Sequence, residues 1–253
     1  MQVSDVITRI RNRYRWTLSR RCGRRLVELR PPTPMISFTF DDFPKSALWE
    51  GGNILTRHGV RGTYYVSLGL MNRDLPAGPG FSQEDVRKVL AQGHELGCHT
   101  FAHCHAWDTS PSIFEGSIIE NQRALGELVP GAVFHSLSYP IAFPRPQTKR
   151  RAAKHFSCCR GGGPKYNVGL TDANSLQACF LEKCRDNPTV AKDLIAANSR
   201  ERGWLIFATH DVCDTPTPFG CNPTFFQEIV RCSVASGAKV LPVAQAWEAL
   251  NTK

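Results

Sequence analysis

Two short segments of the chain carry residue types that could bind a metal ion and move protons. The first is Asp41-Asp42, which ends an apolar run, and the second is the pair His99 and His103 about sixty residues later. Asp42, His99 and His103 would supply one carboxylate and two imidazoles, a set that holds a divalent cation and leaves positions open for water and substrate. Asp41, beside a ligand, could serve as a base. The alternatives are that the Asp pair caps a turn and that the His spacing arose by chance.

Strands that alternate with helices must position these residues. From Met35 onward, short apolar runs alternate with longer helical patterns, which is typical of parallel βα units. About seven such units fit a distorted (β/α)7-8 barrel, the fold class that we predict. In such barrels the active site lies at the carboxyl ends of the strands. The polar residues at or just beyond predicted strand ends are Asp41, Asp42, His99, Tyr139 and His210.

The pattern predicts individual elements as well. Strands are expected at 35–40, 63–66, 96–99, 132–139, 204–209 and 239–242. Helices are expected at 82–91, 112–128, 190–202 and 224–236, and the Gly- and Pro-rich stretches after 139 are expected to be irregular.

Composition favours one catalytic domain with a basic extension. The chain has 253 residues, of which 42% are hydrophobic, enough for a single α/β domain of barrel size. Nine arginines and two carboxylates lie in residues 1–30, a formal charge of +7, which leaves +2 for the rest. We therefore expect an extension at 1–34 and a catalytic domain at 35–253. No nucleic-acid partner is expected, because the domain lacks a basic stripe or an aromatic-basic alternation.

The extension has the periodicity of an amphipathic helix. Its apolar residues recur at spacings of three and four, while its arginines lie mostly elsewhere around the helix. Such a helix either lies on an anionic membrane surface or covers the apolar base of the following domain. The apolar residues are Val3, Val6, Ile7, Ile10, Tyr14 and Leu18.

The sequence gives no sign of secretion, of a membrane span or of paired cysteines. The N-terminus lacks the apolar core of a signal peptide, and no run approaches the roughly 20 apolar residues that span a bilayer. We therefore expect a cytoplasmic protein, with peripheral contact to the inner membrane face through residues 1–30 as the open alternative. Ten cysteines without a CxxC spacing are expected to be reduced and mostly buried. The oligomeric state cannot be read from the sequence.

Four motifs in order resemble the NodB-type polysaccharide deacetylases, carbohydrate esterase family four, across about residues 35–250. Residues 37–42 (SFTFDD) are similar to the first motif of that family and residues 93–103 (GHELGCHTFAH) to the second. Residues 137–140 (LSYP) fall where the third belongs, and residues 204–211 (WLIFATHD) are similar to the last. The resemblance implies the same barrel fold and a hydrolase of carbon-nitrogen bonds.

The resemblance also implies a role for each matching residue. Asp41 would be the general base, and Asp42, His99 and His103 would be the metal ligands. His210 would be the general acid that protonates the leaving amine. Zinc is the first expectation for the metal, and cobalt, nickel or manganese would suit the same ligands.

Further positions are implied around the substrate. A backbone N–H after Tyr139, with Ile141 as the best candidate, would stabilise the oxyanion. Leu205 and Ile206 would either line the pocket for the acetyl methyl group or simply belong to a buried strand. Asp211 would either orient His210 or end its strand.

The chain departs from the family pattern where Asp41 must be held. Ser138 stands where the third motif usually has the arginine that contacts the base. Among the arginines at 145, 150 and 160, we choose Arg160 as the substitute. Phe43 replaces the glycine that commonly follows the Asp pair, and residues 141–142 replace an aromatic-Gly pair. A fourth motif is not recognisable, so the substrate groove is expected to differ from that of a typical chitin or peptidoglycan deacetylase.

The function that these residues favour is removal of an N-acetyl group from an amino sugar. The acetylated saccharide would be part of a glycan, an oligosaccharide or a lipid-linked saccharide. One alternative is a hydrolase that opens a cyclic amide or imide on the same fold, since the same metal-water chemistry suits it. Another is a non-catalytic carbohydrate-binding protein, although binding alone requires neither a base nor an acid.

Overall fold

Parallel strands form the centre of the fold, as the alternation of apolar runs predicts. The computed structural model describes residues 3–141 and 143–251, and for residues 3–7 it describes the backbone. The strands are β1 Leu26–Leu29, β2 Met35–Phe40, β3 Thr63–Val66, β4 Asp74–Leu75, β5 Gly78–Pro79, β6 Glu95–Cys98, β7 Ser136–Ser138, β8 Cys158–Arg160, β9 Gly169–Asp172, β10 Cys179–Phe180, β11 Trp204–Thr209 and β12 Lys239–Val240. Seven of them form one continuous parallel sheet in the order β10-β11-β2-β3-β6-β7-β8, and β12 pairs with the first two residues of β2.

Helices cover the outside of this sheet. A π-helical turn at Ala47–Gly52 precedes α2, and 3₁₀ turns lie at Leu68–Leu70 and Leu181–Lys183. The helices are α1 Val3–Arg21, α2 Asn53–Arg57, α3 Gln83–Ala91, α4 Pro111–Leu128, α5 Pro146–Ala152, α6 Pro188–Glu201, α7 Pro223–Ala235 and α8 Val243–Asn251. None of the helices in the described part of the chain is both long and apolar enough to cross a bilayer.

The two central strands explain why the sequence reads as buried apolar runs. Every residue of β2 and of β11 is buried, as expected for a parallel sheet whose two faces are both covered. The strands pair in register along their whole length, from Met35 opposite Trp204 to Phe40 opposite Thr209. Their carboxyl ends therefore stop at the same level.

The sheet closes on itself between β8 and the segment before β10. Gly161 N–H donates to the carbonyl of Leu176 (2.9 Å), and Gly163 N–H donates to the carbonyl of Ala178 (3.0 Å). These bonds link the two ends of the strand order, because β10 begins one residue after Ala178. The prediction of a distorted (β/α) barrel is confirmed.

The segment expected to be an extension has two parts. Residues 3–21 form α1, in agreement with the predicted helix, but Leu26–Leu29 form a strand that pairs antiparallel with β9. The end of α1 is fastened by Lys149 of α5, whose ammonium donates to the carbonyls of Ser19 (2.7 Å) and Cys22 (3.3 Å). The base of the extension is therefore joined to the domain by backbone as well as side-chain contacts.

Several short elements differ from the sequence prediction. The strand predicted at 132–139 is ordered as a strand only at Ser136–Ser138. β8, β9, β10 and α5 lie in stretches expected to be irregular. The three strands β8, β9 and β10 have four residues or fewer, and their buried and exposed residues do not alternate. Their pairing therefore depends on neighbours that are distant in sequence. All ten cysteines are free, as expected.

Candidate active site

The residues predicted to do chemistry meet at the carboxyl ends of the strands. Asp41 and Asp42 follow β2, His99 follows β6 and His210 follows β11. Backbone hydrogen bonds extend the ladders into the site: Asp41 N–H donates to the carbonyl of Thr209 (2.9 Å), and His99 N–H donates to that of Val66 (3.0 Å). The sheet therefore fixes the backbone positions of Asp41 and His99.

Asp42, His99 and His103 form one group with the geometry of a metal site. One ligand atom from each residue lies within 4.8 Å of the others. The Oδ1 atom of Asp42 is 3.0 Å from Nε2 of His103 and 3.4 Å from Nε2 of His99. The other ring nitrogen of His99, Nδ1, lies 2.8 Å from the carbonyl oxygen of Ser138 and must donate to it. That bond leaves Nε2 of His99 with a lone pair that faces Asp42.

The donor atoms fit a divalent cation. Oδ1 of Asp42 is buried and has no hydrogen-bond partner among the described residues, so its charge is unsatisfied unless a cation is bound. Burial, helped by the charges of His103 and Arg160, lowers the pKa of His99 to about 4, which keeps this imidazole neutral at pH 7. An imidazole must be neutral to bind a metal through its ring nitrogen. Burial opposes the charge on Asp42, but the neighbouring imidazoles, foremost that of His103, lower its pKa, so the carboxylate is ionised.

Arg160 holds Asp41. The Nη2 atom of Arg160 donates to both carboxylate oxygens of Asp41 and to Oγ of Ser138. Both members of the ion pair are buried, with side chains 1% and 6% exposed. The guanidinium also lies between aromatic rings, 5.1 Å from the centre of Tyr65 and 5.5 Å from that of Phe180. The contact that the sequence analysis chose for Arg160 is present.

Strand register explains how an arginine at position 160 can stand in for one at position 138. β7 and β8 are parallel neighbours, and Ser138 lies directly opposite Arg160. Residues opposite each other in a sheet project from the same face. The small side chain of Ser138 accepts a hydrogen bond from the guanidinium instead of competing for its space.

The environment keeps Asp41 ionised despite its burial. Burial raises the pKa of this carboxyl, but the positive charge of Arg160 lowers it, with smaller contributions from the imidazoles of His99 and His210 and from the hydrogen bonds of the Arg160 guanidinium. The net pKa of Asp41 lies below its usual value. A carboxylate in this state can accept a proton at neutral pH.

His210 faces the metal group from the far side. Its Nε2 atom is 4.0 Å from Oδ2 of Asp42, and its Nδ1 atom is 3.2 Å from the carbonyl oxygen of Phe219. That carbonyl can only accept, so Nδ1 carries the proton and Nε2 points toward the site. The rings of Phe219 and Phe180 flank the imidazole at centroid distances of 5.5 and 6.4 Å.

Asp211 does not contact His210. Its carboxylate accepts hydrogen bonds from the backbone N–H (2.8 Å) and hydroxyl (2.6 Å) of Thr217, and its carbonyl accepts from Cys221 N–H (3.1 Å). These bonds fix the loop that carries Phe219, whose carbonyl contacts His210. The orienting role expected of Asp211 is therefore indirect, through this loop.

Tyr139 takes no direct part in the site. Its N–H already donates to the carbonyl of Arg160 (3.0 Å), and its buried ring lies 6.2 Å from that of Phe114 in the core. Ile141, two residues later, has a positive φ of 67° and a side chain that is 66% exposed. Among the described residues, no acceptor binds its N–H. Of these two positions, only Ile141 has a backbone donor free for a substrate oxyanion.

Leu205 and Ile206 lie too far from the metal group to line a pocket beside it. Both are fully buried near the start of β11, opposite Ile36 and Ser37. His210 follows the end of that strand, so Leu205 lies ~16 Å away at the usual rise of a strand. Of the two alternatives that the sequence left open, the structure favours the buried strand, because both residues belong to the core.

Unusual backbone conformations concentrate at the site. Seven non-glycine residues of the described chain have positive φ, and five of them lie in the site segments. Such conformations persist only where surrounding structure enforces them. Phe43, for example, takes the place of a glycine with φ 52° and is held by stacking on Phe81 at 5.0 Å. The five residues are Asp42, Phe43, Thr100, His103 and Ile141.

Glu182 is a titratable group at the site that the sequence analysis missed. It lies in the 3₁₀ turn directly after β10, and its Oε2 atom is buried without a hydrogen-bond partner among the described residues. Burial raises its pKa, while the nearby charge of His210 opposes this and that of Asp41 adds to it. Glu182 could have been predicted from the rule that polar residues after parallel strands face the site. The rule was not applied because the two-residue strand β10 was not recognised in the sequence.

Comparison with known proteins identifies the family. The family described as "Polysaccharide deacetylase" matches residues 28–156, about half of the chain. The chain belongs to this family. The matched region contains Asp41, Asp42, His99 and His103, while Arg160 and His210 lie beyond it.

Two curated relatives have similar sequences over part of their length. The peptidoglycan-N-acetylglucosamine deacetylase of Listeria monocytogenes is 30% identical over 91 residues, which are 36% of this chain and 18% of that protein. The chitooligosaccharide deacetylase of Sinorhizobium fredii is 29% identical over 108 residues, 42% of this chain and 46% of that protein. The matches thus span less than half of either relative.

Solved structures share the fold. The chitin deacetylase of Colletotrichum lindemuthianum superimposes with a TM-score of 0.60 at 17% identity, covering 89% of this chain and 91% of that one. A family 4 acetyl xylan esterase of Clostridium thermocellum, solved with a cobalt ion, gives a TM-score of 0.57 at 18% identity over 85% and 90% of the two chains. At these identities the likeness establishes the barrel alone.

Proposed function

We propose that this chain is a metal-dependent hydrolase that removes N-acetyl groups from an acetylated amino sugar in a glycan, an oligosaccharide or a lipid-linked saccharide. One observation carries the proposal. An ionised carboxylate, Asp41, lies beside the group of Asp42, His99 and His103, and the imidazole of His210 faces the same group with Nε2 4.0 Å from Asp42. Residues suited to be base, metal ligands and acid therefore lie together at one end of the barrel. The names of the relatives support an acetylated saccharide as substrate.

Asp42, His99 and His103 would hold the cation. A divalent cation bound there supplies Lewis acidity, which lowers the pKa of a water molecule and polarises a carbonyl oxygen. Zinc is the metal that we propose first, with cobalt, nickel and manganese as the other candidates for one carboxylate and two imidazoles.

The side chains around the group account for the proton transfers. Asp41 takes a proton from the attacking water while the water oxygen bonds to the acetamide carbon. The N–H of Ile141 stabilises the negative charge that develops on the carbonyl oxygen. Nε2 of His210, which must carry the second proton of the ring for this step, then gives that proton to the sugar nitrogen as the carbon-nitrogen bond breaks, while Nδ1–H stays bonded to the carbonyl of Phe219. The products are acetate and a free amine.

Acetate release tests the reaction. Purified protein with measured metal content would be incubated with N-acetylglucosamine oligomers, peptidoglycan fragments and lipid-linked acetylated saccharides. We expect one free acetate and one new amine per turnover with at least one of these classes. Turnover of a cyclic amide, without acetate from any acetylated saccharide, would contradict the proposal. So would saccharide binding by fully metal-loaded protein without turnover.

Metal content tests the ligand set independently of the substrate. His103→Ala removes one of three ligands, so we expect the bound zinc, measured by mass spectrometry after dialysis, to fall from about one ion per chain to near zero. His58→Ala, which changes a partly exposed histidine outside the group, should keep the parent content. Equal metal content in the two variants would show that His103 is not a ligand.

A further inference from the structure

The first half of α1 presents an apolar stripe to solvent. Ile10 is 64% exposed and Tyr14, one helical turn later, is 61% exposed. The stripe is not a cover for the barrel, since these side chains point away from the domain. Val3, Val6 and Ile7, which share the stripe by periodicity, lie outside the residues whose side chains the structure describes.

Arginines flank this stripe. The helical repeat places Arg11 and Arg13 about 80° to either side of the line through Ile10 and Tyr14. Arg11 and Arg13 are exposed. So are the arginines at and just after the end of the helix, Arg20, Arg21 and Arg24. An apolar stripe between cations is the pattern of helices that lie in the headgroup region of a bilayer.

The helix is held in place from its other side. Lys149 fastens its last turn through the carbonyls of Ser19 and Cys22. Midway along, Arg15 pairs with Asp108 at 2.6 Å and lies 5.4 Å from the ring of Trp107. By the helical repeat Arg15 lies about 120° from the stripe, so these contacts fix the position of the helix and leave Ile10 and Tyr14 exposed.

We infer that the stripe of Ile10 and Tyr14, with Arg11 and Arg13 beside it, is a docking surface for an anionic lipid bilayer. The occupant must be apolar at its centre and negatively charged around it. A second copy of the chain would bring together two segments of like charge, which repel. Nucleic acid would match the arginines but would leave Ile10 and Tyr14 without apolar partners. Anionic headgroups above acyl chains match both, because the headgroups attract the arginines and the acyl chains accept the apolar side chains.

The contacts of α1 also relate this surface to the candidate active site. Asp108, the partner of Arg15, lies in the loop that follows His103 directly. A bilayer docked on α1 would therefore bind a helix that is joined by an ion pair to the loop after His103. This geometry favours saccharides carried at a membrane surface, and that consequence rests on the proposed function, whereas the docking itself does not.

Vesicle sedimentation tests the docking with the full chain. The protein would be mixed with vesicles of phosphatidylserine and phosphatidylcholine, or of phosphatidylcholine alone, and the bound fraction measured after centrifugation. We expect binding to the anionic vesicles only, weakened at high salt. Ile10→Ser/Tyr14→Ser should bind at least about tenfold more weakly, as should Arg11→Glu/Arg13→Glu.

Matched substitutions on other helices are the controls. Ile113→Ser/Ile119→Ser changes two exposed isoleucines of α4, and Arg57→Glu/Arg231→Glu changes two exposed arginines of α2 and α7. Both controls should bind like the parent, and circular dichroism would verify that every variant is folded. Equal binding by the α1 variants and the parent would overturn the inference. So would a parent that binds no vesicles and dimerises through α1 in sedimentation equilibrium.

Discussion

Two buried pairs of a cation and a carboxylate lie at different places in this fold. Arg160 and Asp41 are paired at the carboxyl end of the strands, with side chains 1% and 6% exposed. Lys149 and Asp172 are paired beneath the end of α1, with side chains 0% and 12% exposed. Burial makes both pairs costly to break, because a lone charge would remain without solvent.

The pairs differ in what else binds the carboxylate. Asp172 also accepts backbone N–H groups from Arg25 (2.9 Å) and Asn174 (3.0 Å), so fixed donors hold both of its oxygens. Among the described residues, only Arg160 donates to the carboxylate of Asp41. A carboxylate saturated by fixed donors fastens the chain, whereas one with free lone pairs can still accept a proton.

The largest difference between the two pairs should appear in activity when the charge of Asp41 or of Asp172 is removed. Asp41→Asn keeps the shape of the side chain but removes the base, so we expect kcat/KM for acetate release to fall by about 10³-fold. Bound metal should stay at the parent level. The matched variant Asp172→Asn should keep activity at temperatures where it is folded. An active Asp41→Asn enzyme would show that another group is the base.

Loss of the cation beneath α1 should act on stability. Lys149→Met leaves Asp172 buried without its partner and frees the carbonyls at the helix end, so we expect the free energy of unfolding in urea to fall by about 3 kcal/mol. Trypsin should cleave faster after Arg21. Lys149→Met/Asp172→Asn should recover part of the stability, and no recovery would mean that the carbonyl contacts, not the pair, dominate.

His94 is a buried titratable group that, unlike the two ion pairs, contributes to stability in its uncharged form. Burial, with the charge of Arg61, lowers the pKa of His94 from 6.5 to about 4. Its Nδ1 accepts a hydrogen bond from Gly62 N–H (3.0 Å), which requires the neutral ring. The unfolded chain binds a proton below pH 6.5 while the folded chain does not until about pH 4. The stability that depends on neutral His94 is therefore present above pH 6.5 and lost as the pH falls toward 4.

His94→Asn should remove this dependence. The parent should lose about 2 kcal/mol more than the variant between pH 7.5 and pH 5, measured by urea unfolding at both values. The partly exposed His58, changed to Asn, is the control and should follow the parent. Parallel losses in the parent and in His94→Asn would show that this ring is already protonated in the folded protein.

The smallest effect is expected when the pair of Arg160 and Asp41 keeps its charges but changes its geometry. Arg160→Lys replaces a planar fork with a point charge, so Asp41 should be held less well and kcat should fall about tenfold, which corresponds to ~1.4 kcal/mol. Because Arg160 lowers the pKa of Asp41, the acid limb of the pH profile should also move to higher pH. A drop in kcat with an unmoved limb would assign Arg160 a purely structural role.

The sequence alone was sufficient to predict the central strands β2 and β11 and the gathering of five polar residues at the carboxyl ends of the strands. Parallel strands that are buried on both faces leave continuous apolar runs, as in 35–40 and 204–209, and the polar residues after them can be read directly. The ligand motif is local too, since His99 and His103 are four residues apart. Such short-range patterns do not need the rest of the fold to be interpreted.

Only the tertiary structure decided what supports those residues. The opposition of Ser138 and Arg160 depends on the register of two three-residue strands, and register between distant segments leaves no mark in either sequence. Glu182, the indirect role of Asp211 and the core placement of Leu205 likewise depend on where short segments end. The apolar stripe of α1 can be recognised in the sequence from its helical periodicity. Contact with a membrane and packing on the domain both predict that same periodicity. The exposure of Ile10 and Tyr14 shows that these two side chains do not pack on the barrel, and burial depends on neighbours that the periodicity of one helix cannot specify.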